Sequence, residues 1–527
     1  MPDLKKFRLR HFVEKLIDLG EVEVHEEPVD LADVSRIVEA SDKAVLFRKA
    51  GPEGTELVVN VAGSRRRLAA AFGVAESQVV QEYRRRLANP RPVVDVAPED
   101  APVREVVFEG DEVDLTQLPF HPQHALDGST YLSSAIDFSI DPETGTTNVG
   151  CRRLSLRNRT ECGTNVTAPS DLQRIYCASI ARGEKLPVSF AVGSHPLDFM
   201  AATMRIPADE TALVGTLRGE PVPLVKSLTN DIRVPADAEV ILEGYLCAEG
   251  YVEPEGPFGE YMGYYGPMHL DPIFHVTAIT MRKDALHQSV LHGAGHALGR
   301  VESANFVAIH LEARAFDILE KLGIDIREAR VTTSSGEGQH LRIAICQTAP
   351  GQARQAIEAL FAELRIVKHI FVVDDDVDIW SESAMEWALG TRFQAHKDLV
   401  VLTGMLGHPM DPSLGEDETG AKAGFDMTVP FGFGEKLLEK VTDPPVFEGP
   451  GRFQDVAGAL EGGPMYFTEI MQAVGSRDGR EIALHLDELR NEGRLIRNED
   501  GQYYLGAGQK GKTHLDHEPH KGKRSAE

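Results

Sequence analysis

The chain has 527 residues, 42% hydrophobic and 26% charged, which is ordinary globular composition in a chain too long for one core, so roughly three or four domains are expected. Its formal net charge of -27 argues against broad contact with nucleic acid or anionic lipid, which Lys and Arg hold through phosphate, while leaving room for a local basic pocket around one phosphate. No apolar run approaches the roughly 20 residues of a membrane span, and Cys151, Cys162, Cys177, Cys247 and Cys346 are scattered without a C-x-x-C, which argues against a disulfide framework or a thiolate zinc site. A reducing cytoplasm is the expected setting, and MPDLKKFRLRHFVEKL lacks the apolar core and small-residue cleavage site of a signal peptide.

In chain order, DLADVSRIVEAS places Leu31, Val34, Ile37 and Val38 on one side of a helix, and VLFRKA and ELVVNVAG read as strands. ANPRPVVDVAPEDAPVREV, rich in Pro and charge, reads as a linker. From about Leu118 the pattern turns strand-rich. SSAIDFSIDPETGTTNVGCRRLSLRNRT predicts two strands around a turn at Pro142 to Gly145, and PVSFAVG, EVILEGYLC and FHVTAITM predict more, with a helix at SDLQRIYCASIARG. Many strands punctuated by Gly and Pro favour a barrel or mixed sheet. From about Glu312 helices alternate with strands (AFDILEKLG, HLRIAICQ, QARQAIEALFAELR, HIFVVDD), as in crossover units on a sheet. The aspartates of IFVVDDDVDIW read as a solvated acidic loop at a strand end.

YFTEIMQAVGSRDGREIALHLDELRNEGRLIRNEDGQYYL predicts two helices and a hairpin, similar to a winged helix, with Ile482, Leu486 and Leu489 as the apolar stripe of the second helix. A nucleic-acid reader would present Arg and Lys there. Asp487, Glu488 and Glu492 share the helix with Arg480 and Arg490, which favours packing or oligomerisation over DNA reading. The polar tail GQKGKTHLDHEPHKGKRSAE is expected to be disordered.

Two segments carry candidate chemistry. EPEGPFGEYMGYYGP brings Glu255 and Glu260 close through a Gly/Pro-rich turn. Two neighbouring carboxylates repel when both are ionised, so one can hold a proton and serve as a general acid. A surface turn with two solvated glutamates is the plainer reading. TTNVGCRRLSLR offers an Asn148 amide oxygen for a hard cation and an Arg153 fork for a carboxylate, or else a polar strand edge. LHGAGHALGR reads on its own as a loop with incidental basic residues, His292, His296 and Arg300, without the further ligands of a zinc site.

Taken together, TNVGCRR, EKLPVSFAVGSHP, DETALVGTLRGEPVPLVKS, VPADAEVILEG, EGPFGEYMGYYGP, VDDDVDIW, MEWALGTRF, DPSL and AKAGFDMT follow one another in an order that resembles the UbiD-type decarboxylase family, which uses prenylated FMN. The resemblance runs from about residue 5 to 430, and EGPFGE with VPADAEVILEG is its most specific part. It implies a mixed α+β and α/β multidomain protein. An N-terminal α/β domain (1–115) precedes a central flavin-reductase-like split β-barrel that binds prenylated FMN (116–311) and a C-terminal α/β domain for oligomerisation (312–445). The winged-helix-like extension (446–507) and the tail (508–527) follow.

The activity it implies is reversible, non-oxidative decarboxylation of an aromatic or heteroaromatic acid, hydroxybenzoate-like or phenazine-carboxylate-like, through a covalent adduct with the cofactor. By position, Arg153, Glu255 and Glu260 match the catalytic residues, with Glu260 as general acid/base. The cofactor is expected along Asn148, Val149, Gly150, Cys151, Arg152 and Arg153, at Ser170 and Asp171, at Glu210, and at Lys368, and the resemblance implies that the loop with His292, His296 and Arg300 lies near the substrate, where these side chains could hold a polar substituent. Mn2+ or Mg2+ is expected on Asn148, Asp171 and Glu210, with K+ as a further ion. The family commonly has His where this chain has Asp171, which is either an oxygen ligand or the cap of its helix. A flavin prenyltransferase as cofactor supplier and a homo-oligomer, dimer or hexamer, complete the expectation. Two other readings compete with it: a flavin reductase on the same barrel, and a regulatory nucleic-acid binder using the C-terminal extension.

Overall fold

The computed structural model describes residues 3–167, 169–206, 208–292, 299–432, 442, 444–498 and 500–506. The chain divides into two compact units, Met1–Val429 and Pro430–Glu527.

The first unit opens on helix Leu9–Asp18, whose Leu9, Phe12, Val13 and Leu16 recur at helical spacing and are all buried. They meet Leu46 and Val58 on one face of a four-stranded sheet. That sheet joins Val22–His25, Ala44–Ala50, Thr55–Val59 and the distant strand His287–Ser289. The alternate residues Val45, Phe47, Leu57 and Val59 face the other way, onto Val34 and Val38 of helix Val34–Ala40. The Pro-rich stretch expected to be a linker is built into sheets instead. Val93–Asp95 pairs with Val222–Lys226, and Val106–Glu109 pairs with Ile273–Met281. Val93–Asp95 lies at a sheet edge, where neighbouring prolines break no ladder.

The centre of this unit is a closed barrel of six strands. In order these are Val240–Leu246, Leu186–Val192, Tyr131–Ile140, Thr147–Leu156, Glu161–Thr164 and Ile273–Met281, and the last pairs back onto the first. Every second residue, such as Val188, Phe190 and Val192, or Phe274 and Val276, joins one buried cluster with Leu172, Ile175 and Tyr176 of helix Asp171–Ala181. The ladder between Tyr131–Ile140 and Thr147–Leu156 slips between Leu132 and Ala135, opposite Arg152 to Leu154. Such a bulge re-aims the side chains beside it.

Helix Glu302–Lys321 leads into a five-stranded sheet ordered Asp325–Val331, His340–Cys346, His369–Asp374, Thr419–Asp426 and Leu399–Leu406. The helix is continuous across residues 311 and 312, so the change from barrel to α/β pattern begins at Glu302. Helix Gln352–Glu363 forms the crossover between the parallel strands His340–Cys346 and His369–Asp374.

In the second unit, helices Val456–Leu460, Phe467–Val474 and Arg480–Asn491 precede the hairpin Leu495–Arg497 and Tyr503–Leu505. Ile482, Leu486 and Leu489 are buried against Ile470 and Val456, as their spacing predicts. The tail expected to be disordered lies outside the described residues. Among the described residues no helix is long and apolar enough to cross a membrane.

Candidate active site

Arg153 sits at the bulge of the Thr147–Leu156 strand and gathers both glutamates of the EGPFGE turn. Its Nε and Nη2 donate to Glu255 Oε1 and Oε2, each at 2.9 Å, and its Nη1 donates to Glu260 Oε1 at 2.7 Å. The side chains of Arg153, Glu255 and Glu260 are 10%, 0% and 11% exposed, so the surface-turn reading is wrong for this pair. The guanidinium also lies 4.2 Å above the Phe258 ring, and Tyr131 meets that ring edge-on. Burial works against the arginine's charge, but Glu255 and Glu260 outweigh it and hold its pKa above the ordinary range.

The turn is pinned from the side by residues 121–128. Asp127 accepts from the Gly259, His124 and Gln123 backbone N–H groups. A Cβ at Gly259 would lie 2.2 Å from His124 Nδ1, so only glycine admits this approach. On the far side of Glu255, His269 Nε2 lies 3.2 Å from Glu255 Oε2 and 3.0 Å from Asp271 Oδ2. Burial pushes Asp271 up to about 6, partly offset by the Val166 N–H that it accepts.

A second group of acids lies along the same strand. Asn148 Nδ2 donates to Asp137 Oδ2 at 3.0 Å, which leaves Asn148 Oδ1 as the atom to present to a cation. Asp137 is fully buried, and its Oδ1 makes no hydrogen bond, with Arg152 Nε at 3.4 Å. Gly150 stands opposite Asp137 in register, and a Cβ there would come within 2.7 Å of Asp137 Oδ1. Glu210 receives the Val149 and Ile206 N–H groups, one on each oxygen. Burial raises the Glu210 pKa against those two bonds, and the charges of Asp171 and Asp137 add to the rise.

Ser170, not Asp171, is the helix cap: its side chain accepts from Gln173 N. Asp171 is the first helical residue, and its carboxylate takes Arg205 at 2.6 Å. Arg152 reaches the Ser170 hydroxyl at 3.1 Å. Asn148, Glu210 and Asp171 carry oxygen donors of the hard type that Mn2+ or Mg2+ takes, while both Glu210 oxygens accept backbone N–H groups and Asp171 pairs with Arg205.

Of the other expected residues, His292 is beside the centre. Its ring is 6.0 Å from that of Phe258 and 6.2 Å from that of Tyr261, and its Nδ1 is buried without a partner among the described residues. Burial, with His124 and Arg153 nearby, pushes its pKa down to about 3, so it is neutral. His296 lies outside the described residues. Arg300 spends donors on Ser41 O, Asp42 Oδ1 and Glu39 O. Lys368 binds Asp411 and Ser413 at 2.6 Å each. Cys151 is half-buried with its Sγ toward Phe199 O.

Sequence reasoning missed several neighbours. Tyr261 OH lies 3.4 Å from His408 Nε2, which in turn is 3.7 Å from Glu337. Burial lifts Glu337 to about 7, and Glu260 adds to that rise while a Ser303 hydrogen bond opposes it. A cavity of ≈510 Å³ borders the turn, lined by Ser35, Arg36, Glu39, His124, Gly259, Tyr264 and Tyr265 among others. The positive φ of Glu337 (59°) and the motif GHPMDPS were the signals available, the first only in three dimensions.

Three family models cover the first unit: the N-terminal domain of 3-octaprenyl-4-hydroxybenzoate carboxy-lyase over residues 13–87, its Rift-related domain over 94–295 and its C-terminal domain over 304–427. The chain belongs to the UbiD family of carboxy-lyases. Among its relatives is the anhydromevalonate phosphate decarboxylase of Methanosarcina mazei, 29% identical over 422 residues, covering 80% of this chain and 95% of that one. Among solved structures, the UbiD-class enzyme HmfF of Pelotomaculum thermopropionicum in complex with FMN aligns with a TM-score of 0.77 at 29% identity, over 83% of this chain and 98% of that chain. An evolved dimeric form of HmfF, in complex with prFMN, aligns with a TM-score of 0.74 at 28% identity, over 83% and 97% of the two chains. Vanillic acid decarboxylase of Sedimentibacter hydroxybenzoicus aligns with a TM-score of 0.74 at 25% identity, over 84% and 96%. Membership of a decarboxylase family replaces the flavin-reductase reading.

Proposed function

We propose that this enzyme decarboxylates an aromatic or heteroaromatic carboxylic acid reversibly, with prenylated FMN as cofactor and Glu260 as general acid/base. The observation that carries the reading is the Arg153 fork, which holds Glu255 and Glu260 together in a buried site. Losing CO2 leaves an electron pair on carbon, and side chains are poor sinks for it; prenylated flavin supplies that sink when bound. The protein's own part is to bind, orient and move a proton. Arg153 Nη1 fixes Glu260 Oε1, so Oε2 is left to deliver the proton to the substrate carbon. Glu255, gripped through both oxygens, sets the angle of the guanidinium and hence of Glu260. Phe258 and Tyr131 close the floor against water. Neutral His292, with Nδ1 unpartnered, is placed to bond a polar substituent of the acid.

Asn148, Asp171 and Glu210 would hold Mn2+ or Mg2+, and the cation would let this acidic strand accept an anionic cofactor. Arg152, whose Nε is buried without an acceptor, fits the same ligand. Assembly as a homo-oligomer and supply of the cofactor by a prenyltransferase belong to the same reading.

The test is CO2 release by protein co-produced with a flavin prenyltransferase. The acids to offer are 4-hydroxybenzoate, 3,4-dihydroxybenzoate, vanillate and phenazine-1-carboxylate, with anhydromevalonate phosphate included because a relative is named for it. Release from one of the ring acids, absent without the prenyltransferase, is expected. Release from anhydromevalonate phosphate alone would overturn the aromatic substrate class, and no release from any would overturn the proposed function.

A further inference from the structure

We propose that His269 and Asp271 form the proton entry to the acid–base centre, passing protons from solvent to Glu255. The proposal rests on the decarboxylase reading. Each turnover consumes one proton: the bond from carbon to the carboxylate breaks, its electron pair stays on carbon, CO2 leaves, and a C–H bond forms there. Glu260 gives that proton and must regain one from water, although the centre is buried.

Among the described residues, His269 is the partly exposed side chain that touches the fully buried Glu255 carboxylate from the side away from Arg153. It lies on strand His269–Asp271, opposite Glu255 in the antiparallel pairing with Glu253–Glu255, and the two-residue strand period puts Asp271 on the same face. Its ring is 23% exposed, whereas the Glu255 and Asp271 side chains are 0% exposed. His269 Nδ1 lies 3.0 Å from Pro267 O, and a carbonyl only accepts, so Nδ1 carries hydrogen. His269 Nε2 faces Asp271 Oδ2 at 3.0 Å and Glu255 Oε2 at 3.2 Å. Two oxygens against one nitrogen require a further hydrogen on the ring or on one carboxyl. The trio therefore stores one proton beyond a neutral imidazole and two carboxylates.

The other charged and titratable groups around it are accounted for. Arg153 and Tyr131 face Glu255, Arg153 and Tyr251 act on Asp271, and Glu253 at the end of the hairpin is taken by Arg157 at 3.1 Å. The same three ligand atoms lie within 4.8 Å of one another, a spacing a metal ion could use. Both Glu255 oxygens already accept from the Arg153 fork, however, and a cation there would face the guanidinium, so the stored species is a proton. In the return step Nε2 gives its hydrogen to Glu255 and regains one from solvent. A solvent molecule at the free Glu260 Oε2 then carries it from Glu255, because the guanidinium that joins the two glutamates only donates and cannot relay a proton. His269 acts through Glu255 and is thus a positioning and proton-supplying residue rather than one that touches substrate.

The test has a substrate-free arm and a turnover arm, both on the full-length holoenzyme co-produced with a prenyltransferase. In spectra of the protein labelled with 15N-histidine and 13C-carboxyl Asp and Glu, one hydrogen beyond that on His269 Nδ1 is expected within the trio at pH 7, on His269 Nε2 or on the Asp271 or Glu255 carboxyl. A trio without that hydrogen, or histidine and carboxyl signals that Asp271→Asn leaves unmoved, overturns the proposal. In turnover of whichever panel acid releases CO2, His269→Asn should lower kcat roughly 10- to 100-fold at unchanged KM. The variant should also show a larger solvent deuterium isotope effect and recover with added imidazole. Full activity, or a loss that imidazole leaves in place, overturns it, as does Mn2+ or Zn2+ bound at one per chain and lost in His269→Asn. If no acid releases CO2, the decarboxylase reading fails by itself, and the histidine spectra still decide the proton store.

Discussion

Two clusters of buried acids share the strand Thr147–Leu156, and they are compensated in different ways. In the Glu255–Glu260 cluster, Arg153 spends three donors on two carboxylates at 2.7 to 2.9 Å. In the Asp137–Glu210 cluster the donors are an amide and two backbone N–H groups, and Arg152 Nε stops 3.4 Å from Asp137 without bonding it. The first pays for burial within the protein, while in the second burial drives the Asp137 and Glu210 pKa values up. A buried carboxylate needs either a cation or a proton. The first cluster is compensated by an ion-pair network, and the second is the one for which a metal is proposed.

The largest expected effect breaks the first cluster. Under the proposed reading Glu260→Gln keeps the cofactor and lowers turnover by about 10²–10⁴-fold. Flavin absorbance and CO2 release read the two arms, and near-normal turnover would move the acid/base role to another residue. Next comes Arg153→Ala, which leaves Glu255 buried without its cation. It should cost about 3–5 kcal/mol of stability, measured by urea unfolding. Arg153→Lys should recover only part of this, because an ammonium cannot reproduce the fork. Equal stability of Arg153→Ala and wild type would mean that the carboxyls hold their own protons.

The difference between the clusters also marks what could be read in the sequence. The alternation of VSFAV and FHVTAI specified barrel strands because each buries every second residue in a common core. Arg153, Glu255 and Glu260 stand 102 and 107 residues apart, and only the ordered succession of family motifs joined them. Asp137 and His269 carried no signal at all. Each meets its partner through antiparallel register, and register depends on where a bulge or turn falls, which residue type does not report. ANPRPVVDV misled for a related reason: proline density marks linkers, yet an edge strand tolerates it equally well. Arg300 matched a substrate contact by analogy, whereas its chemistry serves the Glu39–Asp42 turn just as well.

Smaller effects sharpen the second half of the comparison. Glu210→Ala removes an oxygen from the metal candidate and should lower metal and flavin occupancy on the order of 10- to 100-fold, read by metal analysis and absorbance. Unchanged occupancy of both would reject that assignment.

Glu302 isolates the effect of burial with little compensation of either kind. Its Oε1 accepts from Ala62 N at 3.0 Å, its Oε2 has no donor, and the residue is 1% exposed. Burial pushes its pKa up to about 7 from an ordinary 4.5, with the Ala62 bond and Arg67 opposing. The folded state therefore holds this proton more tightly than the unfolded chain does. The associated stability is fully present below about pH 4.5 and is lost as pH rises through about 7. Glu302→Gln keeps the acceptor for Ala62 and removes the charge, so it should raise stability at pH 8 by about 3 kcal/mol and leave pH 4.5 nearly unchanged. Urea unfolding at the two pH values measures this. A variant whose stability falls with pH as steeply as the wild type would show that Glu302 ionises without penalty, and burial alone would then fail to explain the raised pKa values of Asp137 and Glu210.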